Sequence, residues 1–460
     1  MHSKLDIKNF IYKVLNLFAS KICYPIMLLV IVTFKLKSSK MRKVVISGMV
    51  GNALEWYDYA LYAQFAYIIG LKFFPKTEFV EILTFALFAA GFLVRPLGGV
   101  LFGQIGDRFG RRSALVIGIL MMAVPTAGIG LLPSYEVIGI AAPIILAIIR
   151  LVQGFSLGGE FSGCIAYIVE HSPDNKRGLA GSASFVSMCV GMLMGVGVAN
   201  GFRYFLNEKD LLDWGWRIPF ILGLVIGLVG LYIRSHLAES PIYKAAKEAG
   251  YLSRTPLRET FTKHWRHLLL AIAIYINVTA PFYTTTVLME HIVQKVGYTK
   301  EQGSIVCTII LITMTLVFPV SAYISDKIGR KPVIVTGSIL LILGIYPIFV
   351  ALSSMNYNYA ILSQIIFATI VGIYMGPVPT ILVELFPTRV RFTAVAISYN
   401  LSAAIFGGTI PMIGAAFYKA TGTNFALAYY LTGLAIFCLC ILFFYKETYK
   451  NNLSEDVIHE

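Results

Sequence analysis

The chain has 460 residues, of which 57% are hydrophobic and only 13% charged, with a mean hydropathy of +0.75. Soluble domains carry roughly 25% charged residues, so this composition excludes an ordinary soluble domain and points to the bilayer. The net charge of +14 suits nucleic acid only if the basic residues form one patch, and they do not.

In chain order, the first forty residues stand apart. ICYPIMLLVIVTF (22–34) has Pro25 inside it and Lys35, Lys37, Lys40, Arg42 and Lys43 behind it. It is too short for a span, and its basic residues follow the apolar core, the reverse of a signal peptide. Residues 1–40 are expected to carry no function, as an interfacial segment or as an extension from an upstream start, with Met41 opening the compact chain.

Then come twelve apolar runs: 44–70, 82–106, 114–132, 137–166, 180–202, 216–234, 267–290, 303–325, 332–352, 358–385, 391–418 and 425–445. A spanning helix needs roughly 20 apolar residues. The runs are too long for barrel strands and do not alternate, so they predict an all-α membrane bundle. Alternate loops divide the basic residues. Arg108, Arg111, Arg112, Lys176, Arg177, Lys327, Arg330, Lys331, Arg389, Arg391 and the basic 235–266 stretch fall on one side, while the other is sparse. That asymmetry places the first set and both termini in the cytoplasm and excludes a nucleic-acid partner. Of the six cysteines, Cys23, Cys164, Cys189, Cys307, Cys438 and Cys440, five lie in predicted spans. Their spacing fits neither a metal site nor a disulfide framework.

Ionisable residues inside a span cost roughly 2.5–3.5 kcal/mol and mark function by default. The first span holds Asn52, Glu55, Asp58 and Tyr59. Glu55 and Asp58 are i and i+3, with Asn52 and Tyr59 flanking Glu55 on the same side. Two such carboxylates cannot both ionise cheaply, so one is expected to hold a proton. The second span carries Arg95 before Pro96, and the fourth carries Arg150, Gln153 and Glu160 around Gly154, Gly158 and Gly159. Arg150 can bind a substrate carboxylate with two hydrogen bonds or pair permanently with Glu55 or Asp58. Glu160 can pair with Arg95. The stretch 235–266 is amphipathic and basic and is read as surface helices tethering two halves. In the seventh span Tyr275, Asn277, Tyr283, Thr284, Thr285 and Thr286 cluster, and Tyr374, Pro377 and Pro379 interrupt the tenth. These offer polar and aromatic walls, with the aromatics able to stack on a quaternary ammonium.

The charged phrase GQIGDRFGRR (103–112) returns as SAYISDKIGRK (321–331), six spans later, and VEHSPDNKRG (169–178) returns as VELFPTRVR (383–391) at the same offset. Two echoes make the chain a duplication of six-helix halves, an arrangement used by transporters that bind substrate between the halves. The expected organisation is an N-terminal bundle (41–234), a cytoplasmic linker (235–266), a C-terminal bundle (267–445) and a short tail (446–460). Gly103, Asp107, Arg108, Gly110, Arg111, Arg112 and Glu170, with Asp326, Arg330, Glu384 and Arg389 in the second copy, are the candidate gate. The glycines permit a close turn, and Asp107 can face a helix N-terminus or a neighbouring arginine.

These phrases, with RLVQGFSLGGE (150–160), resemble the signature loops of the major facilitator superfamily. GNALEWYDYALY (51–62), FLVRPLGG (92–99) and LDWGWRIPF (212–220) resemble its metabolite:proton symporter family, from about Met41 to Thr448. The resemblance implies twelve helices in two pseudo-symmetric bundles, alternating access and proton-coupled uptake. Members carry proline- and betaine-type zwitterions, 2-oxoglutarate, citrate or shikimate. The long coiled-coil tail of osmosensory members has no counterpart in KETYKNNLSEDVIHE (446–460), so osmotic activation by such a tail is not expected.

The chain is therefore expected to be no enzyme, since P-loop, zincin and nucleophile-elbow patterns are missing. It is expected to take up a small zwitterion or organic acid by proton symport, with the proton gradient and no cofactor or metal as energy source. Its partners are then the substrate, protons and the bilayer of a bacterial inner membrane, with no obligatory protein. An antiporter or efflux pump of the same fold and a transporter-derived sensor are the alternatives.

Overall fold

The computed structural model describes residues 39–75 and 80–453. The N-terminal extension falls almost wholly outside them, as does the end of the tail.

Among the described residues each predicted span is a helix. The first six are α1 (Ser39–Phe73), α2 (Val80–Arg108), α3 (Arg111–Leu131), α4 (Ala141–Glu170), α5 (Ala183–Phe205) and α6 (Arg217–Ser235). The second six begin with α7, Trp265–Tyr283, which passes through a π turn (Thr284–Leu288) into Met289–Val296. There follow α8 (Lys300–Ile328), α9 (Arg330–Leu352) and α10, which breaks between Tyr357–Met375 and Val378–Glu384. Then α11 runs from Arg391–Ser402 through a π turn to Ile410–Thr421, and α12 is Phe425–Leu442. Ten of these are long and apolar enough to cross a membrane. The others, α1 and α2, carry Glu55, Asp58 and Arg95.

The repeat is visible in the packing. α1 lies on α5, α2 on α4 and α3 on α6, while α7 lies on α11, α8 on α10 and α9 on α12. The halves meet through α2 against α11 and α8 against α5, pairs that exchange under the duplication. Gly110 and Gly329 hold equivalent turns, at φ 107° and 104°, a region that disfavours any side chain bearing a Cβ.

Polarity is inverted relative to a soluble protein. Arg95, Arg111, Arg177, Arg234, Arg330 and Arg391 are among the most deeply buried side chains, while Leu93, Leu343 and Phe443 are 77%, 67% and 80% exposed. Charges inside and a greasy rim outside are what lipid requires. This is a multi-pass membrane protein.

Several helices overrun the apolar runs. The fourth run stops at 166, yet α4 continues to Glu170. Glu170 is fully paired by Arg111 and Arg391, so a charge that reads as a boundary is buried as a contact. In the linker, Pro241–Glu248 and Pro256–Lys263 form the two short helices. The first is tied to α2 by the Tyr243 hydroxyl, which donates to the Arg108 carbonyl at 2.9 Å. The second is tied to the α10–α11 turn by Arg389, whose Nε lies 2.8 Å from Glu259.

Candidate functional site

A cavity in the N-terminal half is lined by Glu55, Asp58, Tyr59, Phe92, Arg95 and Arg150, with Trp56, Gly91, Gly154 and Leu157 completing the wall. Its free volume is about 10 Å³, room for about one water. Glycines bring its helices together. A Cβ on Gly154 would lie 2.7 Å from the Gly91 Cα, and one on Gly158 2.6 Å from the Gly98 carbonyl carbon. Gly154→Val is therefore expected to cost about 1–3 kcal/mol, seen as earlier loss of monodisperse protein on heating in detergent. An unchanged profile would mean that α2 and α4 do not approach here.

Each carboxylate of α1 has its own arginine. Arg95 Nη2 donates to Glu55 Oε1 at 3.3 Å and also to the Tyr399 hydroxyl of α11. Arg150 Nη1 donates to Asp58 Oδ2 at 2.8 Å. The Asp58 Oδ1 accepts from Thr126 and Gln153, both at 2.9 Å, and Gln153 Oε1 accepts from Arg150 at 2.8 Å. Two guanidiniums thus offset the charges of the two carboxylates. The carboxylates still differ. Both Asp58 oxygens accept hydrogen bonds, whereas Glu55 Oε2 is buried without a hydrogen-bond partner, as are Arg95 Nε and Trp56 Nε1.

Aromatic rings close the site. Tyr59 packs 5.3 Å from Trp56 and 5.9 Å from Phe92, and Tyr283 of α7 meets Phe92 at 5.9 Å. The Arg95 guanidinium lies over Phe92 at 5.2 Å and Tyr399 at 5.3 Å, and Arg150 over Tyr62 at 4.3 Å.

Three expected site residues lie elsewhere. Asn52 turns away from Glu55 and donates to the Ser184 carbonyl at 2.7 Å and the Ser187 hydroxyl at 2.8 Å, fastening α1 to α5. Glu160 meets Arg234 of α6, not Arg95. Tyr374 donates to the Ile274 carbonyl at 2.8 Å inside the C-terminal half. The threonines of the seventh span also turn inward: Thr284, Thr285 and Thr286 donate to carbonyls of their own helix. Sequence reasoning missed Trp56, Tyr399 and Arg234. Trp56 stood inside the quoted EWYDY stretch, and Arg234 was passed over as the end of a span.

The candidate gate residues meet at one end of the bundle. Asp107 accepts from the backbone N–H groups of Phe392 and Thr393, at 3.1 and 2.9 Å, and from Arg111 at 3.0 Å. Both partners foreseen for it, a helix N-terminus and an arginine, are present together. Gly103 and Gly106 give Thr393 and Phe392 room, since a Cβ on Gly103 would lie 2.6 Å from the Thr393 Cα. Arg111 also binds Glu170 at 3.1 Å and the Thr388 carbonyl at 2.9 Å, and Arg391 binds Glu170 at 3.0 Å. In the second copy, Asp326 accepts from the N–H groups of Gly178 and Leu179, each at 2.8 Å, and from Arg330 at 2.6 Å. Arg330 binds Glu384 at 3.2 Å. Each aspartate thus caps a helix of the opposite half.

Arg108 donates to the Arg254 carbonyl and Arg112 to the Ser235 carbonyl, both in the linker region. After Gly110, Glu239 accepts from the Arg111 N–H at 3.1 Å. After Gly329, Glu447 accepts from the Arg330 N–H at 2.9 Å. This repetition was not foreseen. Its trace lies in the glutamate that follows the last helix of each half.

Comparison with known proteins agrees with this architecture. The sugar (and other) transporter profile matches residues 44–260 and the Major Facilitator Superfamily profile residues 275–457. In solved structures, the proton:xylose symporter XylE bound to 6-bromo-6-deoxy-D-glucose superimposes with a TM-score of 0.77 at 20% identity, over 91% of this chain and 98% of that one. A double-tryptophan XylE mutant gives 0.79 at 19%, over 92% and 99%. These likenesses concern the fold. Curated relatives include a glycine betaine/proline/ectoine/pipecolic acid transporter of Dickeya dadantii, 36% identical over 90% of this chain and 85% of that protein. A proline/betaine transporter of Escherichia coli is 35% identical over the same shares. On sequence, repeat and packing alike, the chain belongs to the major facilitator superfamily, in the family of the proline/betaine transporters.

Proposed function

We propose that the chain takes up a proline- or betaine-type zwitterion by proton symport, through alternating access, in a bacterial inner membrane with both termini cytoplasmic. One observation carries this reading: a carboxylate with a free oxygen, Glu55, and an arginine with a free N–H, Arg95, face one aromatic-lined cavity. A zwitterion matches both signs. Its ammonium lies toward Glu55 and the Trp56, Tyr59 and Phe92 rings, and its carboxylate toward Arg95. A dicarboxylate would set its second charge against Glu55. The relatives' substrates point the same way.

The gate residues serve as an inner gate, joining the halves by crossed helix caps and buried ion pairs that must part for the cytoplasmic side to open. Glu55 serves as the proton carrier, because its second oxygen is not committed to a donor. The gradient is the energy source, and the route needs no cofactor, enzymatic step or protein partner.

The test is uptake of labelled proline, glycine betaine and 2-oxoglutarate into proteoliposomes with an imposed inward proton gradient. Accumulation of a zwitterion only with the gradient is expected. Transport of 2-oxoglutarate with neither zwitterion moving would transfer the site to organic acids. Accumulation under an outward gradient would make it an antiporter.

A further inference from the structure

The cavity between Glu55 and Arg95 has room for about one water, so a zwitterion of proline's size does not fit while the halves are closed in this way. Yet the halves are closed at the gate, and at the cavity a central guanidinium bridges them. Arg95 on α2 reaches Glu55 on its own side and the Tyr399 hydroxyl on α11 of the other. Tyr399 is itself held firmly. Its ring packs 4.6 Å from Phe161 and 5.2 Å from Tyr275, edge on, and it is only 3% exposed.

A symporter closes twice in each cycle, once around its substrate and once without it. In the first closure the substrate carboxylate can join Arg95 to the far half. In the second, something in the protein must take that place, or the guanidinium is left buried beside an unfilled wall. We propose that Tyr399 is this stand-in: its hydroxyl gives Arg95 a C-half partner, so that the substrate-free carrier can close and return. Tyr399 is a positioning residue, acting through Arg95. The inference rests on the zwitterion-symport reading of the same cavity and adds a separate step to it.

The experiment compares net uptake with counterflow. Net uptake needs the substrate-free return, whereas counterflow, with saturating proline on both sides, keeps the carrier loaded in both directions. Tyr399→Phe keeps the ring packed against Phe161 and Tyr275 and removes the hydroxyl. A hydrogen bond to a charged group is strong enough that net uptake should fall about tenfold while counterflow stays within about twofold. An equal loss of both would assign Tyr399 to packing and overturn the proposal, as would a variant with both unchanged. If the unsubstituted protein moves neither proline nor betaine in either assay, the symport reading itself fails, an outcome distinct from failure of the Tyr399 step.

Discussion

Glu55→Gln is expected to leave a folded carrier that exchanges its zwitterion but no longer concentrates it, the accumulation ratio falling to about one under an inward proton gradient. The amide is nearly the shape of the acid, and its oxygen can still accept from Arg95, which binds Glu55 Oε1 at 3.3 Å. What it lacks is the capacity to take and release a proton at the second oxygen, which has no donor of its own. Asp58→Asn should behave differently. Both of its oxygens are in use, toward Arg150, Gln153 and Thr126. An amide nitrogen there would point one donor at another and leave the Arg150 charge unpaired. Breaking a buried pair from one side costs about 3–5 kcal/mol, so Asp58→Asn should lose folded protein as well as transport. Solubilised yield and melting, measured beside accumulation and counterflow, separate the two. If Glu55→Gln still concentrates substrate, the proton travels elsewhere. If Asp58→Asn is as stable as the parent, its polar cluster does not brace α1, α3 and α4 as drawn.

Much of this architecture was legible in the sequence because lipid leaves so few solutions. Runs of 20 or so apolar residues must be helices, and the doubled phrases at 103–112 and 321–331 give the two-half design. The glycine spacing at Gly154 and Gly158 announces a close helix contact, and α4 does meet α2 there. The partners of the charges deep in the spans were not legible. A helix fixes which residues share a face, but pairing depends on how each helix is rotated and how far it has slid against its neighbours. Glu55, Asp58, Arg95 and Arg150 were recognised as a set without their pairs. Asn52 shares a helix with Glu55, yet its amide packs against α5. Tyr374 lies beside a helix break that suggested a cavity wall, but its hydroxyl meets Ile274. Tyr399 escaped notice because nothing in its own neighbourhood is charged. Its role comes from Arg95, far away in the chain.

Glu160 shows how far pairing decides function. An acid within a span invites a proton-carrying role, but Arg234 occupies both of its oxygens while also donating to the Leu115 carbonyl at 2.7 Å and the Ser47 carbonyl at 3.2 Å. Four helices, α1, α3, α4 and α6, therefore close on one ion pair, with neither side chain exposed. A Cβ on Gly51 would collide with both partners, and one on Gly118 would lie 3.1 Å from a Glu160 oxygen. Arg234→Leu or Glu160→Leu alone strands a charge in that enclosure and is expected to cost about 3–5 kcal/mol, enough to empty the membrane of folded protein. The double Glu160→Leu/Arg234→Leu removes both charges, so its loss should be well short of the sum of the singles. Melting of the three variants in detergent gives that comparison. Any double variant that reaches the membrane should still concentrate its substrate, since this pair lies outside the cavity. A double variant that folds but only exchanges would move the proton site to Glu160 and away from Glu55.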